Sequence, residues 1–125
     1  MMGAATLPNA LKLPPERRMR RPAQFKRVYS SGRRFGNEFF TVNTQRNDLT
    51  WARLGMSIAA RNLRRAVDRN RVRRLIRESF RMHQQELPAL DIIIGARAST
   101  IKADRANLRA ALDKLWQKIA ASCVT

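Results

Sequence analysis

The chain has 125 residues and a formal net charge of +17, from 26 Lys and Arg against 9 Asp and Glu. That length holds one hydrophobic core rather than two, the 44% hydrophobic fraction excludes wholesale disorder, and the single cysteine, Cys123, excludes an internal disulfide. The charge attracts a dense polyanion, nucleic acid first and an anionic membrane surface second. The preponderance of Arg, whose planar fork matches phosphates and stacks on bases, favours nucleic acid.

Residues 1–20 read as a basic extension with little regular structure before Pro22. Pro8, Pro14 and Pro15 punctuate it, and Arg17, Arg18, Arg20 and Arg21 close it. It is either an arm that orders on RNA or a solvated tail. Met1–Leu13 lacks a charged leading region and a long apolar stretch, so it is not read as a signal peptide. No run is long enough to span a bilayer, and with one cysteine the expected location is the cytoplasm. Residues 21–121 form one α+β domain, and 122–125 a tail.

Pro22 suits the first turn of a helix, Phe25, Val28 and Tyr29 share one face, and Gly32 is a natural stop. No Ser, Thr, Asp or Asn precedes Pro22 to cap it. Residues 33–45 read as extended. Phe40, Val42 and Thr44 share one face; Phe39, Thr41 and Asn43 share the other. From Trp51 to Ala59 the alternation returns, with Ala52, Leu54, Met56 and Ile58 on the apolar side. The short polar link between these stretches predicts an antiparallel pair.

A helix from about Ala66 to Leu87 follows, ended by Pro88. Asp91–Ala96 carries three consecutive isoleucines, the pattern of a strand buried on both faces. After a loop over Arg97–Lys102, Asp104 is a plausible N-cap for a last helix to about Ala120. Its apolar face is Leu108, Ala111, Leu112, Leu115, Trp116 and Ile119. The order helix, strands, helix, strand, helix predicts a single-domain α/β sandwich around one mixed sheet, ribosomal-protein-like. Its βαβ crossover places the isoleucine strand parallel to one of the earlier strands.

The middle helix is the strongest functional signal. Nine of the 21 residues from Arg61 to Arg81 are Arg. Val72, Leu75, Ile76 and Phe80 make an apolar face with Ser79 and His83 among them. Asn70, Arg73, Arg74, Arg77 and Arg81 gather elsewhere, within an arc of about 100°. Arginines four apart destabilise an isolated helix by a few tenths of a kcal/mol per pair, so a polyanion that neutralises them is the better reading than a solvated face. Catalytic residues are scarce. His83 is the sole histidine and sits on the apolar side, no Cys/His/Asp/Glu set has metal-ligand spacing, and no glycine-rich phosphate loop exists. Composition leaves three readings open: a subunit of an RNA-processing particle, a structural RNA-binding protein of ribosomal type, or a DNA-binding protein using the Arg helix in the major groove.

Ala66, Arg69, Asn70, Arg71, Arg73, Arg74 and Arg77 reproduce the pattern A-x-x-R-N-[RK]-x-[RK]-R-x-x-R. With the Phe25-Val28-Tyr29 helix, the Arg53–Ile58 strand and Glu86-Leu87-Pro88 before Asp91–Ile94, this resembles the bacterial ribonuclease P protein component family over residues 16–120. The resemblance implies a non-catalytic subunit of the ribonucleoprotein that removes 5′ leaders from precursor tRNA. Its RNA subunit carries catalysis with Mg²⁺, no DNA or membrane is expected as partner, and the protein holds no metal or catalytic residue that the sequence shows. The resemblance also implies a left-handed crossover. It assigns Arg64, Arg65, Arg69, Asn70, Arg71, Arg73, Arg74 and Arg77 to the RNA subunit, and Phe25, Tyr29, Phe40 and Arg61 to the leader. Three positions depart from the common pattern. Ala60-Arg61 replaces a basic pair, Arg64-Arg65 replaces Gly-Asn, and Asn43 stands where a tyrosine is common.

Overall fold

The computed structural model describes residues 13–122; the readings at Pro8 and Cys123 lie outside them. Strands β1 (Arg33–Gly36), β2 (Phe40–Arg46), β3 (Arg53–Ser57) and β4 (Leu90–Ala96) form one sheet in the order β1-β2-β4-β3. Helix α1 (Pro22–Ser31) packs on one face, and α2 (Ala66–His83) and α3 (Arg105–Ser122) share a core with the other.

The isoleucine strand explains this order. All seven residues of β4 are buried, and a strand apolar on both sides belongs at the centre of a sheet. Ile92 and Ile94 enter the large core under α2 and α3, whereas Ile93 packs with Val28 and Met19 under α1. β4 therefore lies between β2, its antiparallel neighbour, and β3, its parallel neighbour. The expected antiparallel pairing of β2 with β3 does not form: the link from Arg46 to Arg53 steps across the place β4 takes. The antiparallel partner of β2 on its other side is β1.

α2 and α3 are joined through a polar contact inside the core. Trp116 stacks edge-on against Phe80 at 5.8 Å, and its Nε1–H donates to Ser79 Oγ at 2.7 Å. This gives the indole N–H the partner it needs when buried, and it accounts for a serine on the apolar face of α2. His83 sits at the boundary, its Nδ1 2.9 Å from the Ser79 carbonyl and its Nε2 3.5 Å from Asp113. α2 ends four residues before the predicted Leu87, and a 3₁₀ turn over Gln84–Glu86 completes the run to Pro88.

Residues 13–20 correct the expectation of an extension without structure. Leu13 and Met19 are buried, and a 3₁₀ turn spans Pro15–Arg17. The Met19 N–H donates to the Leu54 carbonyl at 2.8 Å, and Arg18 bridges Leu54 in parallel, extending the sheet beyond β3. The Trp51 indole donates to the Glu16 carbonyl at 2.8 Å, with the Arg17 guanidinium 5.9 Å above its ring. These contacts cover an edge that would otherwise expose unpaired backbone groups.

Candidate RNA interface

The groups that face outward on α2 follow from the face it buries. Val72, Leu75, Ile76, Ser79 and Phe80 are buried, which turns Asn70, Arg73, Arg74 and Arg77 away from the core. Two ion pairs within 4.0 Å occur among the described residues, Arg53–Asp91 and Arg65–Asp68 at 3.9 Å, and Asp113 lies 3.5 Å from the His83 ring. The outward arginines of α2 thus have no carboxylate partner within that distance. Arg73 Nη1 reaches only Asn70 Oδ1, at 3.4 Å.

Not every motif arginine is free. Arg69 Nη1 donates to the Leu63 and Arg64 carbonyls, both at 2.8 Å, and so ties the 61–65 turn to the first turn of α2. Arg71 Nη2 lies 3.3 Å from the Thr100 carbonyl and 3.5 Å from that of Ile101, on the α3 side of the helix. Both keep their charge, but their guanidinium groups also hold backbone in place. Arg64 and Arg65 are exposed just before α2.

α1 sets the second part of the surface. Its N-terminus has no side-chain cap, but Gln24 reaches back to the residues just before it: its Oε1 takes the N–H groups of Arg20 at 3.0 Å and Arg21 at 3.1 Å. Phe25 lies against Gly55 of β3 so closely that a Cβ there would sit 2.8 Å from the ring and 3.2 Å from Met19. Tyr29, one turn on, is 50% exposed. Asn43 pairs with Ile93 and Arg34 across the sheet on this same face and is almost covered.

Phe40 is corrected. It has no exposed surface and belongs to the core under α2 and α3, on the opposite face of the sheet from α1. The reason lies in strand parity: Phe40 alternates with Val42, which is buried in the same core. Arg61 is exposed in the turn after β3 and lines none of the grooves described here.

The two sets meet in a groove of about 190 Å³ lined by Phe25, Met19, Met56, Arg18, Arg20, Arg73 and Arg77 among others. One wall is the N-terminal segment and another is α2. Arg18 and Arg20 were visible as a basic run before Pro22, yet their meeting with Arg73 and Arg77 depends on residues 13–20 packing on β3. Beneath α1, Asp91 is buried and accepts from Arg53 Nε and Nη2, each at 2.7 Å, and from Asn47 Nδ2 at 3.0 Å. These hydrogen bonds hold the Arg53 guanidinium above its already high ordinary pKa, so this arginine is spent on structure.

The ribonuclease P family model matches residues 13–120. The chain is 41% identical over 108 residues to the ribonuclease P protein component of Escherichia coli O157:H7, covering 86% of this chain and 91% of the relative. It is 39% identical over 106 residues to that of Thioalkalivibrio sulfidiphilus, covering 85% and 88%. Among solved structures, the Staphylococcus aureus RNase P protein superposes with a TM-score of 0.77 at 34% identity, over 83% of this chain and 94% of that one.

Proposed function

The chain belongs to the ribonuclease P protein family, the protein subunits of the ribonucleoprotein endoribonuclease that matures tRNA 5′ ends, and from that premise we propose how its surface divides the work. The outward face of α2, with Asn70, Arg73, Arg74 and Arg77, binds the RNA subunit. The observation that carries this is the row of guanidinium groups without carboxylate partners on a helix whose other side is fully engaged in the core. Arg64 extends the row, Arg65 stands beside it against Asp68, and Arg69 and Arg71 add charge and shape the turns beside it. Phosphates supply the affinity, and the Asn70 amide supplies donors and acceptors that charge alone does not require.

The single-stranded leader of precursor tRNA lies along the groove at Phe25. There the partly exposed ring offers a π-face to unstacked bases, Tyr29 offers another one turn further along α1, and Arg18 and Arg20 track the backbone. Arg61 adds charge farther along the turn. Phe40 has no part in it.

Mg²⁺ belongs to the RNA subunit in this reading. No group of three or more His, Cys, Asp or Glu side chains converges among the described residues, and Asp68 and Glu78 stand singly on α2, whereas a hard cation wants several oxygens. The chain's own contribution is to bind and orient RNA. Among the described residues no helix is long and apolar enough to cross a membrane.

The test is reconstitution with the cognate RNA subunit and a precursor tRNA at low Mg²⁺. Leader cleavage should rise on adding the protein. An RNA whose cleavage is indifferent to the protein would overturn the proposal.

A further inference from the structure

The groove between α2 and α3 borders the one at Phe25 along Arg73 and Arg77 and is the larger of the two, at about 410 Å³, within the range of small-ligand pockets. Its floor is apolar, from Leu75 and Leu108, and Val67 stands on its lip 58% exposed. Arg74 and Arg105 rim it. Within this cationic rim is one acid, Glu78, which has no ion pair within 4.0 Å among the described residues. A site meant only for phosphate would not keep a carboxylate there, because it opposes every neighbouring guanidinium's purpose.

An apolar slot, a planar guanidinium rim and a free carboxylate together fit a nucleobase rather than a phosphate. Arg planes and aliphatic side chains take the faces of an unstacked base. A carboxylate takes two parallel N–H donors, as it does from the fork of arginine. Among the four RNA bases only guanine presents two adjacent N–H donors, N1–H and the N2 amino group, on its Watson–Crick edge.

We propose that the α2–α3 groove receives one unpaired guanine of the RNA subunit, with its Watson–Crick edge on the Glu78 carboxylate and its phosphate toward Arg74 and Arg105. This rests on the assignment of the α2 face to the RNA subunit and sharpens it from charge to base identity.

The sign of one substitution separates base reading from electrostatics. Glu78→Gln removes a negative charge from a cationic surface, so electrostatics alone tightens RNA binding. Loss of the paired acceptor instead weakens it, by roughly tenfold for a charge-assisted hydrogen bond. Affinity of the full chain for the cognate RNA subunit should fall for Glu78→Gln and further for Glu78→Ala. Kethoxal, which modifies the N1 and N2 positions of unpaired guanine, should show one guanine protected by wild type and released by both variants. Unchanged or tighter binding, or no guanine whose kethoxal protection is lost in the Glu78 variants, would overturn the proposal. Arg73→Ala with Arg77→Ala, on the border shared by the two grooves, tests the α2 face as a whole: if wild type binds the RNA subunit and this pair weakens it while Glu78 is indifferent, only the guanine site fails. If the arginine pair is indifferent too, the assignment of the α2 face fails with it.

Discussion

Gly55 and Phe25 show how one residue's absence of a side chain positions another's ring. A Cβ at Gly55 would sit 2.8 Å from Phe25 Cζ and 3.2 Å from Met19 Cβ, so a methyl there must push the ring aside. Gly55→Ala should therefore cost about 1–3 kcal/mol in urea unfolding, as overpacking does, and should also weaken leader binding by displacing the ring. Phe25 itself is part anchor and part exposed platform, so its truncation mixes two effects. The informative measure is a ratio: Phe25→Ala should weaken precursor tRNA relative to mature tRNA by about 5- to 50-fold, within the 1–3 kcal/mol of one base–aromatic stack. Equal weakening of both RNAs in filter binding would assign the ring to packing alone. Asn43, close by on the same sheet face, is nearly covered, so Phe25 is the aromatic residue that lines the groove, and Tyr29 adds an exposed ring one turn further along α1.

At the scale of elements, the segment before α1 is where sequence and structure part most. Leu13 and Met19 are isolated apolar residues among prolines and arginines, with no period to reveal them. Their burial depends on a sheet edge 35 residues further along, where Met19 bonds Leu54 and Glu16 receives the Trp51 indole. Met19→Ala should cost about 2 kcal/mol, the low end for a buried Met truncation, read by thermal unfolding. It should also open the groove wall beside Arg18. A variant as stable as wild type would show that the segment rests on the sheet without supporting it. The elements with strong periods were legible: α1 from Pro22 to Gly32, the apolar face of α2, the last helix behind Asp104, which accepts the Asn107 N–H at 2.8 Å, and the doubly buried isoleucines. The crossover told that β4 runs parallel to an earlier strand, which is β3; that β4 also pairs with β2 and so separates β2 from β3 was not legible, because it is a non-local outcome that local alternation does not encode. The same alternation did carry the correct placement of Phe40, beside Val42, against the leader assignment drawn from resemblance. For the motif, spacing alone told that Asn70, Arg73, Arg74 and Arg77 share a face. That Arg69 and Arg71 spend donors on backbone carbonyls depends on where the 61–65 turn and the 98–101 turn come to rest.

The whole molecule carries +17 on a body some of whose few acids are taken up by the fold: Asp91, buried, on Arg53 and Asn47, and Asp104, exposed, on the N-terminus of α3. Self-repulsion in the free protein and attraction to RNA are therefore two consequences of one charge distribution, and they respond to mutation with opposite sign. Arg73 and Arg77 line the groove at Phe25 and also the one between α2 and α3, so they sit where the two proposed RNA surfaces approach each other. Replacing both with Ala removes two like charges at four-residue spacing. The free protein should lose no stability, and should gain a few tenths of a kcal/mol at low salt. Binding to the RNA subunit should move the other way. Each lost phosphate contact reduces the slope of log affinity against log salt by roughly 0.7 to 0.9, so the double variant should bind more weakly at low salt and converge on wild type as salt rises. A parallel pair of salt curves would mean that water, not phosphate, neutralises this face. A double variant that unfolds more easily would mean that the arginines serve the fold rather than the RNA, because a stripe kept for packing should cost stability when it is removed.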